Sequence, residues 1–331
     1  MTLTELKYIV AVAREKHFGK GADACHVSQP TLSVAIKKLE EELQVKLFER
    51  NANEITVTPL GEEIVRQAQS VLEQAENIRD IAKRGKDPLA GALRLGVIHT
   101  IGPYLLPDLV RQTITLTPQM PLMLQENFTV KLLEELRNGE LDCVILAEPF
   151  PDTNLAIAPL YDEPFMAAVP SSHKLAALSS ITAEELKKEN MLLLGNGHCF
   201  RDHVLEVCPE FARFSSNAAG IRKSFEGSSL ETIKHMVAAG MGITLVPRLG
   251  VPQDAIALQS GHQKADKALV SSQAGAALPP PSLITYLPFE GHVPSRRVVL
   301  AWRRSFTRYE AIAALRNAIY ACELAGVTRL S

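Results

Sequence analysis

Over Thr4–Arg14 the apolar residues Leu6, Ile9, Val10 and Ala13 recur at helical spacing, which predicts a first helix. His17–Cys25 can form a second, shorter helix whose small Ala22 and Ala24 admit a close neighbour, with Val27 in the turn behind it. Ser28 is placed to cap a third helix, Gln29–Leu43, and Pro30 sits in its first turn, where a missing N–H costs little. Its inward stripe is Leu32, Ile36, Leu39 and Leu43. Val45–Arg50 and Ile55–Thr58, on either side of the polar turn Asn51–Asn53, read as two short strands forming a wing. From Thr58 and Pro59 a long helix runs to about Arg84, roughly 39 Å at 1.5 Å per residue. Along it Ile64, Ala68, Val71, Ala75 and Ile78 alternate in steps of 4 and 3, widened by Val65, Leu72 and Ile81. A seam at that spacing predicts pairing with a second copy of the chain. Gly85, Asp87 and Pro88 end the helix as a hinge.

After Leu89 the period changes. The apolar runs Ala92–Ile98, Pro121–Glu126 and Cys143–Ala147 predict buried parallel strands, separated by helical stretches Tyr104–Leu116 and Val130–Asn138. Phe165–Val169, Met191–Leu194, Ile221–Phe225 and Ile243–Val246 form a second strand set, with Leu230–Ala239 an amphipathic helix. Leu283–Pro288 and Arg297–Trp302 are further strands, and Phe306–Leu324 a closing helix. Alternating βα units imply α/β sheets with clefts at strand carboxyl ends. The organisation expected is therefore an α/β chain in three parts. Residues 1–58 are a winged helix-turn-helix, 59–88 a linker helix and hinge, and 89–331 a two-lobed α/β domain. Lobe I takes about 89–162 and 283–331, lobe II about 163–260. Residues 259–281, rich in Ala, Ser, Gln and Pro, read as an exposed insert.

Composition narrows the class. With 46% hydrophobic and 22% charged residues over 331 positions, the chain is an ordinary globular protein. No run of about 18 apolar residues and no signal-peptide pattern occurs, so a cytoplasmic protein without a membrane span is expected. The net charge is −2, and basic and acidic residues balance within 1–58, so composition alone does not name a DNA binder. Any argument for DNA must rest on where these charges sit. Ser28, Gln29, Thr31 and Ser33 open the outer face of the third helix, with Lys37 and Lys38 behind them, and Lys46 and Arg50 flank the wing. Short hydrogen-bonding side chains followed by cations suit a helix entering the major groove, although a plain three-helix bundle has the same spacing. The nine histidines show no ligand spacing and no nucleotide-binding glycine motif is present, so neither metal nor cofactor is expected.

Five cysteines, an odd number, argue against a permanent disulfide framework. Cys25, Cys143 and Cys322 lie on predicted elements as packing residues. Cys199 is different. It follows the strand end and glycine turn Leu194-Gly195-Asn196-Gly197-His198, at the start of a helix and between His198 and Arg201. A helix N-terminus and cationic neighbours favour thiolate, so a reactive residue is expected against the alternative of a buried structural cysteine. Cys208 follows nine residues later, just before Pro209. Nine helical residues span about 13.5 Å, whereas a disulfide needs Cα atoms within about 7 Å. The two can bond only if the intervening helix opens, which would make the pair a conformational switch.

The run FGKGADACHVSQPTLSVAIKKLEEELQVKLFERNANEITVTPLG resembles the winged helix-turn-helix of LysR-type transcriptional regulators over some forty positions. GHCFRDHVLEVC, TIGPYLLP, LDCVILAEP and SLETIKHMVAAGMGITLVP are similar to the peroxide-sensing OxyR group of that family, with only the insert departing from the pattern. The resemblance implies a periplasmic-binding-protein-like sensor domain. It also implies Cys199 as peroxidatic and Cys208 as resolving residue, with a peroxide pocket of Thr100, Thr129, His198 and Arg201. It further implies DNA contacts from Ser28, Gln29, Pro30, Thr31, Ser33, Lys37, Lys46 and Arg50. Implied partners are double-stranded promoter DNA, hydrogen peroxide, RNA polymerase during activation, and further copies of the chain as pairs of linker-helix dimers. Two other readings stay open: a LysR-type regulator that binds an organic effector with incidental cysteines, and a thiol peroxidase-like enzyme.

Overall fold

The structure, a computed structural model, describes residues 1–50, 55–84, 87, 89–151, 154–209, 226–227, 229–253, 255 and 282–330. The turn Asn51–Asn53, the Arg50 side chain, Gly85 and Pro88 of the hinge, the expected strand Ile221–Phe225 and the insert 259–281 lie outside what is described. The chain divides into two compact units. One is built on Met1–Ala90, the other on Gly91–Arg137, Leu141–Arg303 and Glu310–Ser331.

In the first unit, α1 (Leu3–Glu15) starts at a reciprocal cap: Thr2 accepts from the Glu5 amide, and the Glu5 carboxylate accepts from the Thr2 amide. Helix α2 (Phe18–Ala24) leads to α3 (Gln29–Leu43), where Ser28 Oγ accepts from the Thr31 amide at 3.3 Å. Strands β1 (Phe48–Arg50) and β2 (Ile55–Val57) pair antiparallel as the wing, with Phe48 opposite Val57. Leu6, Ile9, Val12, Leu32, Ile36, Leu39 and Leu47 make one core. The start of α4 (Pro59–Arg84) closes that core.

This corrects the expected dimer seam. Ala68 is 3% exposed inside the headpiece core, and Ile64 packs against its edge with Leu72. The first turns of α4 lie on the unit's own apolar face, and that burial claims these positions. Val71 and Ile78 are exposed and Ala75 is half-buried.

The second unit is organised on an eight-stranded sheet. Strand β3 (Leu93–Ile98) runs parallel to β4 (Leu122–Asn127) and β5 (Cys143–Ala147), through α5 (Gly102–Leu116) and α6 (Thr129–Arg137). β5 is buried throughout, but β4 lies at the sheet edge with Met123 and Leu124 exposed, contrary to the buried strand expected from its apolar run. The central element is β6 (Leu155–Pro170), longer than the Phe165–Val169 strand expected because residues 155–164 continue it. Lobe II adds α7 (Ala183–Leu186), β7 (Leu193–Leu194), α8 (Cys199–Val207), β8 (Glu226–Gly227), α9 (Leu230–Ala238) and β9 (Thr244–Pro247). β10 (Ile284–Pro288) pairs with residues 166–170 of β6, which also take β9. β11 (Ser295–Arg303) pairs with the earlier half of β6 and with β5, before α10 (Tyr309–Ala321) and β12 (Thr328–Arg329).

The return of β10 corrects the lobe assignment. Tyr286, Leu287 and Phe289 are buried in the same core as Phe165, Phe200, Val204 and Leu245, so residues 284–289 belong with lobe II and not with lobe I. A strand antiparallel to the second half of β6 must share that half's core. Among the described residues, no helix is long and apolar enough to cross a membrane.

Candidate redox site and nucleic-acid interface

Three chain segments meet at one small cavity. The ends of β3 and β4 supply Ile98, His99, Thr100, Asn127, Phe128 and Thr129, and the turn before α8 supplies Gly197, His198 and Cys199. Carboxyl ends of parallel strands form crevices by construction, which is why the two threonines fall together. Gly197 has φ +96, a left-handed conformation that a side chain resists, and a Cβ there would press on the Phe128 ring at 3.3 Å. The cavity leaves about 10 Å³ for the centre of a water-sized molecule. That is close to the least space a single water-sized molecule needs.

Thr100 Oγ1 accepts from Arg296 Nη1 at 2.8 Å, which leaves its own O–H available to donate into the cavity. Thr129 Oγ1 is buried and has no hydrogen-bond partner among the described residues, though it is near enough to the Cys199 sulfur to favour its thiolate. His198 is 7% exposed and caps α8 through its backbone only. Its ring stacks edge-on with Phe128 at 4.8 Å and lies 5.7 Å from His99.

Arg201 departs from expectation. Its Nη1 donates to the Leu194 carbonyl at 2.8 Å, and it is not among the residues lining the cavity. On a helix, position 201 points two residues round from Cys199, toward the strand that precedes the turn. The cation that acts on Cys199 is Arg296, which sequence reasoning missed. Arg296 is buried and donates to Glu163 Oε2 from Nε and Nη2 at 2.9 and 2.8 Å, and to the Thr100 carbonyl at 2.9 Å. Its guanidinium also lies 5.4 Å from the centroid of the Phe200 ring. The available signal was alternation. Arg296 shares the inward face of β11 with Val298, and its register partner on β6 is Glu163.

The electrostatics correct a second expectation. Burial pushes the Cys199 thiol above its ordinary value, and Asp202 adds to this, while Arg296 and the Thr129 hydroxyl pull down without prevailing. The balance of these groups favours the thiol, against the thiolate expected from the sequence. Cys208 is fully buried at the end of α8, its amide bonded to the Val204 carbonyl at 3.0 Å, in the core with Phe200 and Val204. Neither cysteine is bridged. The helix between them is intact, Cys199–Val207, as its apolar spacing predicts.

On the headpiece, Ser28, Gln29, Pro30, Thr31, Lys37 and Lys46 are exposed and Ser33 is half-buried, all at or near the start and outer face of α3 and the wing. The Ser28 and Thr31 hydroxyls bond each other at 2.8 Å. Lys37 makes an exposed pair with Glu41 at 3.7 Å, which holds little energy in water, and the exposed Lys46 ammonium reaches the largely buried Glu40 carboxylate at 3.2 Å. Val34, 69% exposed on the same helix, was not anticipated; an apolar side chain there can meet a thymine methyl.

Residues 3–62 match the bacterial regulatory helix-turn-helix of the lysR family, and residues 86–258 the LysR substrate binding domain. The chain is 40% identical over 254 residues to the Escherichia coli DNA-binding transcriptional dual regulator OxyR, covering 77% of this chain and 81% of that protein. The chain belongs to the OxyR group of the LysR family. A Haemophilus influenzae family member, named a hydrogen peroxide-inducible genes activator, is 36% identical over 95% of both chains. Among solved structures of the family, a full-length Pseudomonas aeruginosa OxyR with a cysteine-to-aspartate substitution aligns at TM-score 0.73 and 46% identity, covering 100% of this chain and 98% of its own. A Corynebacterium glutamicum OxyR variant with hydrogen peroxide bound aligns at TM-score 0.58 and 30% identity, over 96% and 91%.

Proposed function

We propose that this chain is a hydrogen-peroxide-sensing LysR-type transcriptional regulator of the cytoplasm that controls antioxidant genes through reversible formation of a Cys199–Cys208 disulfide. The observation that carries the reading is the water-sized cavity bounded by Thr100, Thr129, His198 and Cys199, with a second cysteine buried at the far end of the helix that Cys199 opens. A cavity of this size favours peroxide over an organic effector.

Thr100 and Thr129 supply hydroxyls to orient the peroxide, and His198 closes one side. The Cys199 sulfur attacks the nearer oxygen, the O–O bond breaks, and the thiol proton ends on the departing oxygen: thiol plus peroxide gives sulfenic acid plus water. Arg296 and the Thr129 hydroxyl lower the cost of the thiolate in the transition state. The Cys208 thiol then displaces hydroxide from the sulfenic sulfur, which leaves with the Cys208 proton as water. Closing about 13.5 Å to below about 7 Å requires α8 to open.

The headpiece binds double-stranded promoter DNA, with Gln29 and Thr31 toward base edges and Lys37, Lys46 and Arg50 toward phosphates. Linker helices pair two copies through Val71, Ala75 and Ile78, sensor domains pair dimers into tetramers, and the oxidised form engages RNA polymerase. The test is a footprint on promoter DNA with and without peroxide. The footprint should change for the unmodified protein, stay fixed for Cys199→Ser, and for Cys208→Ser fail to hold its oxidised form although sulfenic acid is trapped. A peroxide-dependent footprint in Cys199→Ser would overturn the assignment, and catalytic rather than stoichiometric peroxide loss would favour a peroxidase.

A further inference from the structure

His203 lies on α8 one turn beyond Cys199 and is 5% exposed. Its Nε2 is 2.8 Å from the Glu148 carbonyl oxygen, just past the end of β5. A carbonyl can only accept, so Nε2 carries the hydrogen and Nδ1 presents a lone pair. Nδ1 is buried and has no hydrogen-bond partner among the described residues. A proton added there would sit buried with no protein acceptor among the described residues, so the closed helix disfavours the charged imidazole. The surroundings agree. Burial holds the ring below its ordinary pKa against the pull of the Glu148 carbonyl, and Arg296 pushes the same way, while Glu206 and Asp202 on the same helix oppose them. Phe165, whose ring centroid is 6.1 Å away, supplies the apolar wall from β6.

We infer that His203 is a positioning residue that fastens α8 to Glu148 in the reduced protein and takes up a proton when the helix opens, so that acidity favours the Cys199–Cys208 disulfide. The inference rests on the helix opening proposed above. Opening breaks the bond to Glu148 and exposes both ring nitrogens. The open state then titrates near the ordinary value of about 6.5. Above that pH the ring is neutral in both states and contributes no pH dependence. Below it only the open state is charged, and each unit of pH favours opening by up to tenfold until the closed state also protonates.

The test equilibrates the full chain with glutathione redox buffers from about pH 8 to about pH 5.5, across the ordinary imidazole range. The disulfide is quantified by mass. Its equilibrium constant against glutathione should be level above about pH 7 and climb toward tenfold per unit below about pH 6.5. His203→Gln keeps a donor for Glu148 but binds no proton, so its constant should stay level, while Glu206→Gln should climb as the unmodified protein does. A second measurement needs no variant. Oxidation of two thiols by peroxide to a disulfide and two waters consumes no net proton. Unmodified protein oxidised at about pH 6 should therefore take up most of one proton per disulfide, and almost none at about pH 8. If the disulfide forms but its constant is level, the proton uptake is nil, or His203→Gln climbs equally, the role of His203 is overturned and the switch stands. If no Cys199–Cys208 disulfide forms at any pH, the switch falls and this inference falls with it.

Discussion

Peroxide treatment should convert the segment from Cys199 to Cys208 from protected helix to exposed chain. In the reduced protein the amides of His203 to Cys208 lie within or at the end of α8, and the last bonds the Val204 carbonyl at 3.0 Å. Opening removes the side chains of Phe200 and Val204, 1% and 2% exposed, from the lobe II core together with Cys208. At about 1.5–3 kcal/mol for a fully buried large apolar side chain, Phe200 and Val204 alone resist opening by roughly 3–6 kcal/mol before any repacking. Local openings of that cost slow exchange by about two to four orders of magnitude, since about 1.4 kcal/mol is tenfold. Hydrogen exchange read by mass, on reduced and peroxide-treated protein, should show the amides 203–208 gaining about a hundredfold or more, while the fully buried strand Cys143–Ala147 serves as an internal reference. Identical exchange of 203–208 in both states, with the Cys199–Cys208 disulfide demonstrated in the same sample, would refute the geometric reasoning.

The other predictions address the remaining sites. Gln29→Ala should cost about 1–3 kcal/mol on the specific DNA site and little on random DNA, whereas Lys46→Ala should weaken both equally and flatten the salt dependence; equal losses for Gln29→Ala in a binding titration would remove it from base readout. Glu at Val71 and Ile78 should lower the sedimenting mass without changing headpiece melting, while Ala68→Glu should unfold the headpiece, because Ala68 is buried within it; a normally folded Ala68→Glu would contradict that placement. The Cys199 thiolate absorbance in peroxide-free protein should appear only above the ordinary cysteine range, and Arg296→Met should raise it further. Arg296→Met alone should cost about 3–5 kcal/mol by stranding the buried Glu163 carboxylate, and adding Glu163→Gln should recover much of that while leaving Cys199 shifted; unfolding curves and thiolate titrations separate the two effects.

The helices and most strands are legible in the sequence because their apolar periods are regular. α3 begins where Ser28 and Pro30 place it, and α4 spans Pro59–Arg84 as its stripe implies. What period cannot show is which of two apolar partners a face will take. Ala68 sits in the expected seam, yet its own headpiece covers it. Likewise β4 reads as buried because it is apolar, but its place at the sheet edge is a property of strand order, which no local pattern encodes. The return of β10 to lobe II is a long-range pairing of the same kind. In the site, Thr100, Thr129, His198 and Cys199 are found together because each directly follows a strand or opens a helix. Arg296 was missed since it lies about a hundred residues from Cys199 in a strand that looks ordinary, and Arg201 was credited with a charge effect because sequence adjacency does not determine direction.

Arg296 explains why the cavity and the switch can act as one device. Its guanidinium holds Thr100 from below the cavity, balances Glu163 on the crossing strand β6, and lies against the Phe200 ring, the residue directly after Cys199. A buried Arg–Glu pair is weak evidence for stability, because desolvation of both ions offsets most of their attraction. Its consequence here is positional. The cation lowers the cost of ionising a thiol that burial would otherwise keep protonated, and it does so from a site fixed by Glu163 and the Thr100 carbonyl. A thiol that rests protonated is spared side reactions while no peroxide is bound, since the thiolate is the nucleophile. Once sulfenic acid has formed, the bonds between Arg296 and β3 and β6 need not break for α8 to open. What must be given up is the packing of Phe200 and Val204, the bond of His203 to Glu148 and the burial of Cys208, all on α8 or at the residue directly after it. The part of the cavity built on the ends of β3 and β4 and held by Arg296 can therefore stay in place while Cys199 leaves it with the opening helix, and reduction returns the same helix to that frame.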